Sequence, residues 1–132
     1  MSNNDSVKTS QSLINFEKAL ESLKKACEAP IKEERDMAGI IKNFEFVYEL
    51  SWKSLKRKLE DEGQQTSTPK DVIRTAFKYN YIVDEELWLQ LIKDRNMTVH
   101  TYDQNLATKL VDHIKRIYLG EFIRLFELLK RN

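Results

Sequence analysis

The chain has 132 residues, and its 22 Lys and Arg nearly balance 21 Asp and Glu, for a net charge of +1. A length of this order is one domain, and near-neutrality excludes a protein that holds nucleic acid by bulk charge; such a contact must come from a local patch or a dimer cleft. A single cysteine, Cys27, excludes an internal disulfide and a cysteine-built zinc site and points to a reducing cytoplasm, while three Gly and two Pro leave little for the turns of an all-β fold.

Residues 1–9 are polar and lack the apolar core of a signal peptide, so they read as a flexible tail ahead of a single domain over 10–132. No apolar run approaches the ~20 residues needed to span a bilayer. The spacing of Leu13, Phe16, Leu20 and Leu23 predicts a first helix from Ser10 to Glu28, stopped by Pro30. A second runs from Glu34 to Glu62 on the stripe Ile40, Phe44, Val47, Ser51, Leu55 and Leu59, closed by Gly63. Its basic run, Lys53, Lys56, Arg57 and Lys58, reads first as exposed charge, with Glu60, Asp61 and Glu62 directly after it. A third is short, with Thr68 as N-cap, Pro69 at the first helical position and Asp71 two residues on.

Asp84 caps a fourth helix bearing Leu87, Trp88, Leu91 and Ile92, a stripe that Arg95 continues. The fifth runs from Tyr102 to Lys130 and is apolar on two sides: Leu106, Leu110, Ile114, Ile117 and Leu128 on one, Val111, Tyr118, Phe122, Leu125 and Leu129 on the other. Two apolar sides suit burial against the bundle and against a second subunit. The pattern predicts an all-α, up-and-down antiparallel bundle of about five helices, assembled as a homodimer.

Chemistry concentrates between the fourth and fifth helices, in Arg95-Asn96-Met97-Thr98-Val99-His100-Thr101-Tyr102. Arg is a permanent planar donor to phosphate oxygens, and His gives or takes a proton near neutral pH. Five residues on one continuous helix differ by about 140° in azimuth, so Arg95 and His100 converge only where the helix ends. Asn96, Thr98 and Val99 are weak helix formers, and Thr101-Tyr102-Asp103-Gln104 reads as a capping box with Thr101 as N-cap. That puts Tyr102 in the first turn of the last helix and His100 beside an anion-attracting N-terminus.

Each candidate has a plainer reading. Arg95 can simply bond the carbonyls at its helix end, Asn96 can be a C-cap, Tyr102 can pack the joint, and Lys53 can be solvated. Glu45 and Glu49 share a face and can brace Arg95 or a basic partner, or merely face solvent. Asp94 reads as solvated, and His113, inside the last helix, carries no role. No metal-ligand spacing and no Gly-rich phosphate loop occurs, so no metal and no cofactor is expected.

The Arg-x4-His-x-Tyr spacing of Arg95, His100 and Tyr102 resembles the motif of the HEPN superfamily, in its HepT-like branch. The segments Phe44 to Lys53, Thr68 to Arg74 and Glu86 to Trp88 match the same branch, so the resemblance runs from Asp36 to Tyr102. It implies a metal-independent endoribonuclease toxin of a prokaryotic toxin–antitoxin pair, acting on RNA (tRNA and mRNA both remain open) and neutralised by a cognate minimal nucleotidyltransferase. Arg95 and His100 would then be catalytic, Asn96 and Lys53 substrate-binding, and Tyr102 the phenol to which the partner transfers AMP. The resemblance equally admits a non-catalytic nucleotide- or substrate-binding subunit of a two-component nucleotidyltransferase.

Overall fold

Two long helices lie side by side and set the frame for everything else. The computed structural model describes residues 3–131, with side chains from residue 9 onward. Helix α1 spans Asn3–Glu28 and α2 Glu34–Asp61; α3 (Pro69–Lys78) and α4 (Glu85–Asn96) form a shorter arm. A 3-10 turn, Met97–His100, leads to α5 (Gln104–His113), which continues through a π turn (Ile114–Tyr118) into α6 (Leu119–Arg131) as a fifth helical rod. No strand occurs among the described residues, and none of their helices is long and apolar enough to cross a membrane.

Helix α1 is helical from Asn3 rather than Ser10, so most of the segment expected to be a tail extends the helix. Its polar start follows from propagation, which costs little once a packed helix exists. The α1–α2 pair is antiparallel, joined by hydrogen bonds from Thr9 Oγ1 to Asp61 Oδ2 (2.8 Å) and between the Ser12 and Ser54 hydroxyls (2.9 Å). All six residues of the α2 stripe are buried. Gly63, at φ 84°, ends α2 in the left-handed region, which lets Gln64 N reach back to the Leu59 carbonyl at 2.8 Å. The start of α3 follows its cap chemistry, with Asp71 N donating to Thr68 Oγ1 at 3.2 Å.

The core is aromatic where α2, α4 and the last rod meet. Phe44 stacks on Tyr118 with centroids 5.8 Å apart, and the Trp88 and Phe122 rings meet edge to face at 5.8 Å. Phe16 of α1 meets Phe126 edge to face at 5.6 Å. Each such side chain taken out of water contributes about 1.5–3 kcal/mol. The second apolar side of the last rod is used here: Val111, Tyr118, Phe122, Leu125 and Leu129 are all buried within the single chain. The rod packs against both α1 and α2, and that double contact accounts for its width. On the other side, formed by Leu106, Leu110, Ile114, Ile117 and Leu128, only Ile117 is well exposed.

Candidate functional site

Helix α4 ends at Asn96, which leaves Arg95 in its last turn and the rest of the motif in a tight joint. The joint is stapled at three-residue intervals. Thr98 Oγ1 donates to the Arg95 carbonyl (2.8 Å), Thr101 Oγ1 donates to the Thr98 carbonyl (2.7 Å), and Asp103 N donates to the His100 carbonyl (3.1 Å). These bonds satisfy carbonyls that a helix end leaves open, and they hold the 3-10 geometry.

Thr101 therefore points backwards and does not cap the next helix. Asp103 does, its carboxylate accepting from Asn105 N (2.9 Å) and Leu106 N (3.4 Å), so the helix begins at Gln104. A carboxylate is both an acceptor and a charge matched to the helix dipole, which favours it over a hydroxyl two residues earlier. Two corrections follow. Tyr102 sits in the turn before the helix rather than in its first turn, and the anion-attracting N-terminus is already occupied by Asp103.

The Arg95 guanidinium turns inward. Nη1 donates to Thr98 Oγ1 at 3.1 Å, Nη2 lies 3.8 Å from Glu45 Oε2 on α2, and Nε is buried with no acceptor. Both charged side chains are about a quarter exposed, so the pair is loose and partly screened. Of the three readings offered for Glu45, bracing Arg95 is the one found. Tyr48 lies close enough to feel the same charge. Burial pushes its phenol up to about 12, Glu49 adds to this, and Arg95 opposes it.

His100 is exposed at the end of the 3-10 turn, and its ring stands edge to face with Tyr102, centroids 6.1 Å apart. Tyr102 is 83% exposed, so the phenol is open rather than packed into the joint. Arg95 and His100 share one short joint, but no hydrogen bond connects them among the described residues. Asn96 is exposed, with no capping bond from its side chain. Lys53 stands apart from the joint, two turns beyond Glu45 on α2, paired with Glu49 at 3.4 Å.

The sequence reading missed three participants. Thr98 is buried and bridges Arg95 to its own backbone; a Thr three residues after an Arg on one turn was the available signal. Asp94 is not solvated: it accepts from the Tyr118 hydroxyl and lies 3.5 Å from His113 Nδ1, tying the end of α4 to the π turn. His113, assigned no role, thus belongs to the brace beneath the joint. Burial and the Asp94 bond together push the Tyr118 phenol well above its usual range.

The chain matches the family model described as nucleotidyltransferase substrate binding protein like over residues 11–131. It is 37% identical over 101 residues to a Haemophilus influenzae protein named a probable ribonuclease HepT, covering 73% of this chain and 69% of that one. A Haemophilus influenzae structure, described as the fold of a substrate binding domain of a nucleotidyltransferase, superposes with a TM-score of 0.80 at 33% identity, covering 89% of this chain and 98% of that one. A Thermus thermophilus structure gives 0.74 at 33%, covering 88% and 96%. A toxin–antitoxin structure of MntA with HepT shares the fold at a TM-score of 0.78, covering 94% and 98%, with 13% identity.

Proposed function

This chain belongs to the nucleotidyltransferase substrate-binding protein-like family, and from that premise we propose that it is a HepT-like, metal-independent endoribonuclease toxin. The observation that carries the proposal is the joint itself. It offers an exposed imidazole and an open phenol five and seven residues beyond an arginine whose head is held by Thr98 and Glu45.

In this reading the 2′-oxygen of RNA attacks the adjacent phosphorus. The new O2′–P bond forms as the P–O5′ bond breaks, leaving a 2′,3′-cyclic phosphate and a 5′-hydroxyl. His100 transfers a proton, and Arg95 stabilises the charge building on the phosphoryl oxygens. Asn96 and Lys53 contact the substrate. One imidazole serves the attacking and leaving oxygens poorly; a homodimer bringing two joints to one cleft supplies the second. Met97 and Val99 expose apolar surface beside His100, which supports an interface there rather than on the last helix.

A cognate minimal nucleotidyltransferase acts as the antitoxin, transferring AMP to Tyr102 in a cytoplasmic setting. The exposure of Tyr102 supports its access to such an enzyme. An AMP phosphodiester there would repel the RNA backbone and compete for Arg95.

The second reading is a non-catalytic substrate-binding subunit, and the description of the matching family as nucleotidyltransferase substrate binding protein like favours it. An RNase assay on EDTA-treated protein separates the two. Cleavage that His100→Ala abolishes supports the toxin; equal behaviour of wild type and variant supports the binding subunit.

A further inference from the structure

A second groove lies away from the joint. It lies between the N-terminal half of α1 and the C-terminal half of α2, with a volume of about 610 Å3, and none of Arg95, Asn96, His100 or Tyr102 lines it. Its walls include Gln11 and Asn15 from α1 and Trp52, Lys53, Lys56 and Arg57 from α2. Cations, amides and one large aromatic ring in one groove form a combination suited to a nucleic-acid strand. Cations follow the phosphates, and the ring takes a base on its face.

Local geometry supports each part. Lys53 Nζ lies over the Trp52 ring, 5.9 Å from its centroid, so a base stacking on that face takes the place of the ammonium, which is free to swing to a phosphate. Trp52 is only half-buried: its indole Nε1 is turned inward and buried without a hydrogen-bond partner, while part of the ring stays open. The rotation of an α-helix, about 100° per residue, explains why the basic run divides. Lys53, Lys56 and Arg57 line the groove, while Lys58 does not. What reads as diffuse surface charge in the sequence is therefore a cluster in space. Glu60 also lines the groove and sets its acidic end.

The groove and the joint share one edge of α2. Glu45, Glu49, Trp52, Lys53 and Lys56 fall within about 100° of one another around the helix axis. Arg95 touches that edge at Glu45, and Lys53 pairs with Glu49 one turn on. From Glu45 to Lys56 the rise is about 16 Å, the span of about five stacked nucleotides at ~3.4 Å each.

We propose that this α1–α2 groove is a second subsite for single-stranded RNA, holding nucleotides that flank the one cleaved at the joint. Lys53, Lys56 and Arg57 take phosphates, and Trp52 stacks a base. The assignment rests on the ribonuclease reading for its substrate class, yet it is testable apart from cleavage. It also accounts for how a chain of net charge +1 holds a polyanion: by a local cluster beside the reacting site.

The test uses the full chain with His100→Ala, so that RNA is bound without being cut, and fluorescein-labelled oligouridylates of about three and about ten nucleotides. Lys56→Ala with Arg57→Ala should weaken the longer probe at least tenfold more than the shorter. The dependence of log affinity on log salt should fall in slope by about 1.4, two contacts at about 0.7 each. The longer probe should quench tryptophan fluorescence through Trp52, because the other tryptophan, Trp88, is fully buried. Trp52→Phe should keep most of the affinity and Trp52→Leu should lose it. Groove variants that bind both probes like the His100→Ala parent overturn the proposal, as does the absence of quenching. Loss of nucleotidyltransferase binding with RNA binding intact overturns it too, and makes the groove a protein dock. Failure of the ribonuclease reading looks different: RNA binds the groove, salt and quenching behave as stated, and the wild-type chain cuts nothing.

Discussion

Thr98 Oγ1 bonds Arg95 twice, accepting from its guanidinium Nη1 at 3.1 Å and donating to its backbone carbonyl at 2.8 Å. One hydroxyl thus ends the helix and aims the cation. Thr98→Val keeps the shape and removes both bonds. We expect a loss of about 0.5–1.5 kcal/mol per bond in chemical denaturation, and a fall in RNA cleavage larger than stability explains. Thr98→Ser, which keeps the hydroxyl, should restore most of the cleavage. Equal cleavage by Thr98→Val and wild type would show that Arg95 needs no aiming.

Glu45 competes with any anion for Arg95. The pair is 3.8 Å apart and about a quarter exposed, so its own contribution to stability is at most about 1 kcal/mol. Glu45→Gln should leave the midpoint of unfolding nearly unchanged and lower KM for RNA. A rise in KM would mean that the carboxylate positions Arg95 rather than blocking it.

Tyr102 is open to solvent, so Tyr102→Phe should not change stability by more than about 0.5 kcal/mol. Co-expressed with the cognate nucleotidyltransferase, the wild-type chain should gain mass in AMP units mapped to Tyr102, and Tyr102→Phe should gain none. If the transferase, ATP and magnesium silence both chains equally, occlusion by the partner is the control and adenylylation is not.

Assembly should follow the joint rather than the last helix. Light scattering at micromolar concentration should give a dimer, and Val99→Lys, at a position 70% exposed, should shift it toward monomer. Ile117→Lys on the last rod should leave it unchanged. The reverse pattern would move the interface to that rod.

Alkaline pH should unfold this protein in step with its buried phenols. Tyr48 goes from an ordinary value of 10.0 to about 12 in the fold, mainly by burial. Between those values the unfolded chain has lost the proton that the folded chain keeps, so stability is whole below about pH 10 and falls as pH rises toward 12. Tyr81 and Tyr118 shift in the same direction, each by burial and a carboxylate partner. Phenolate absorbance should therefore rise with loss of helical circular dichroism, and Tyr48→Phe should flatten the alkaline limb. Full ionisation of all five tyrosines before any loss of helix would contradict this.

Much of the frame was legible along the chain because it depends on residues within a turn or two of each other. Thr68, Pro69 and Asp71 start α3 by contacts that span three residues, and the α2 stripe from Ile40 to Leu59 is periodic on one face. The end of α4 was legible from the weak helix formers Asn96, Thr98 and Val99. Local chemistry became ambiguous where two caps competed: Thr101 and Asp103 both suit a helix start, and the choice depended on Thr101 being engaged by Thr98. Other features rest on contacts between residues far apart in the chain. Glu45 meets Arg95 across fifty positions, Asp94 holds Tyr118 and His113 across a helix pair, and Lys53, Lys56 and Arg57 become a groove only because α1 lies beside them. The same holds for the last rod. Its amphipathic width is written in the sequence, but whether that width covers two helices of its own bundle or a second chain is set by how rigid rods dock, and docking is decided by packing among residues far apart in the chain.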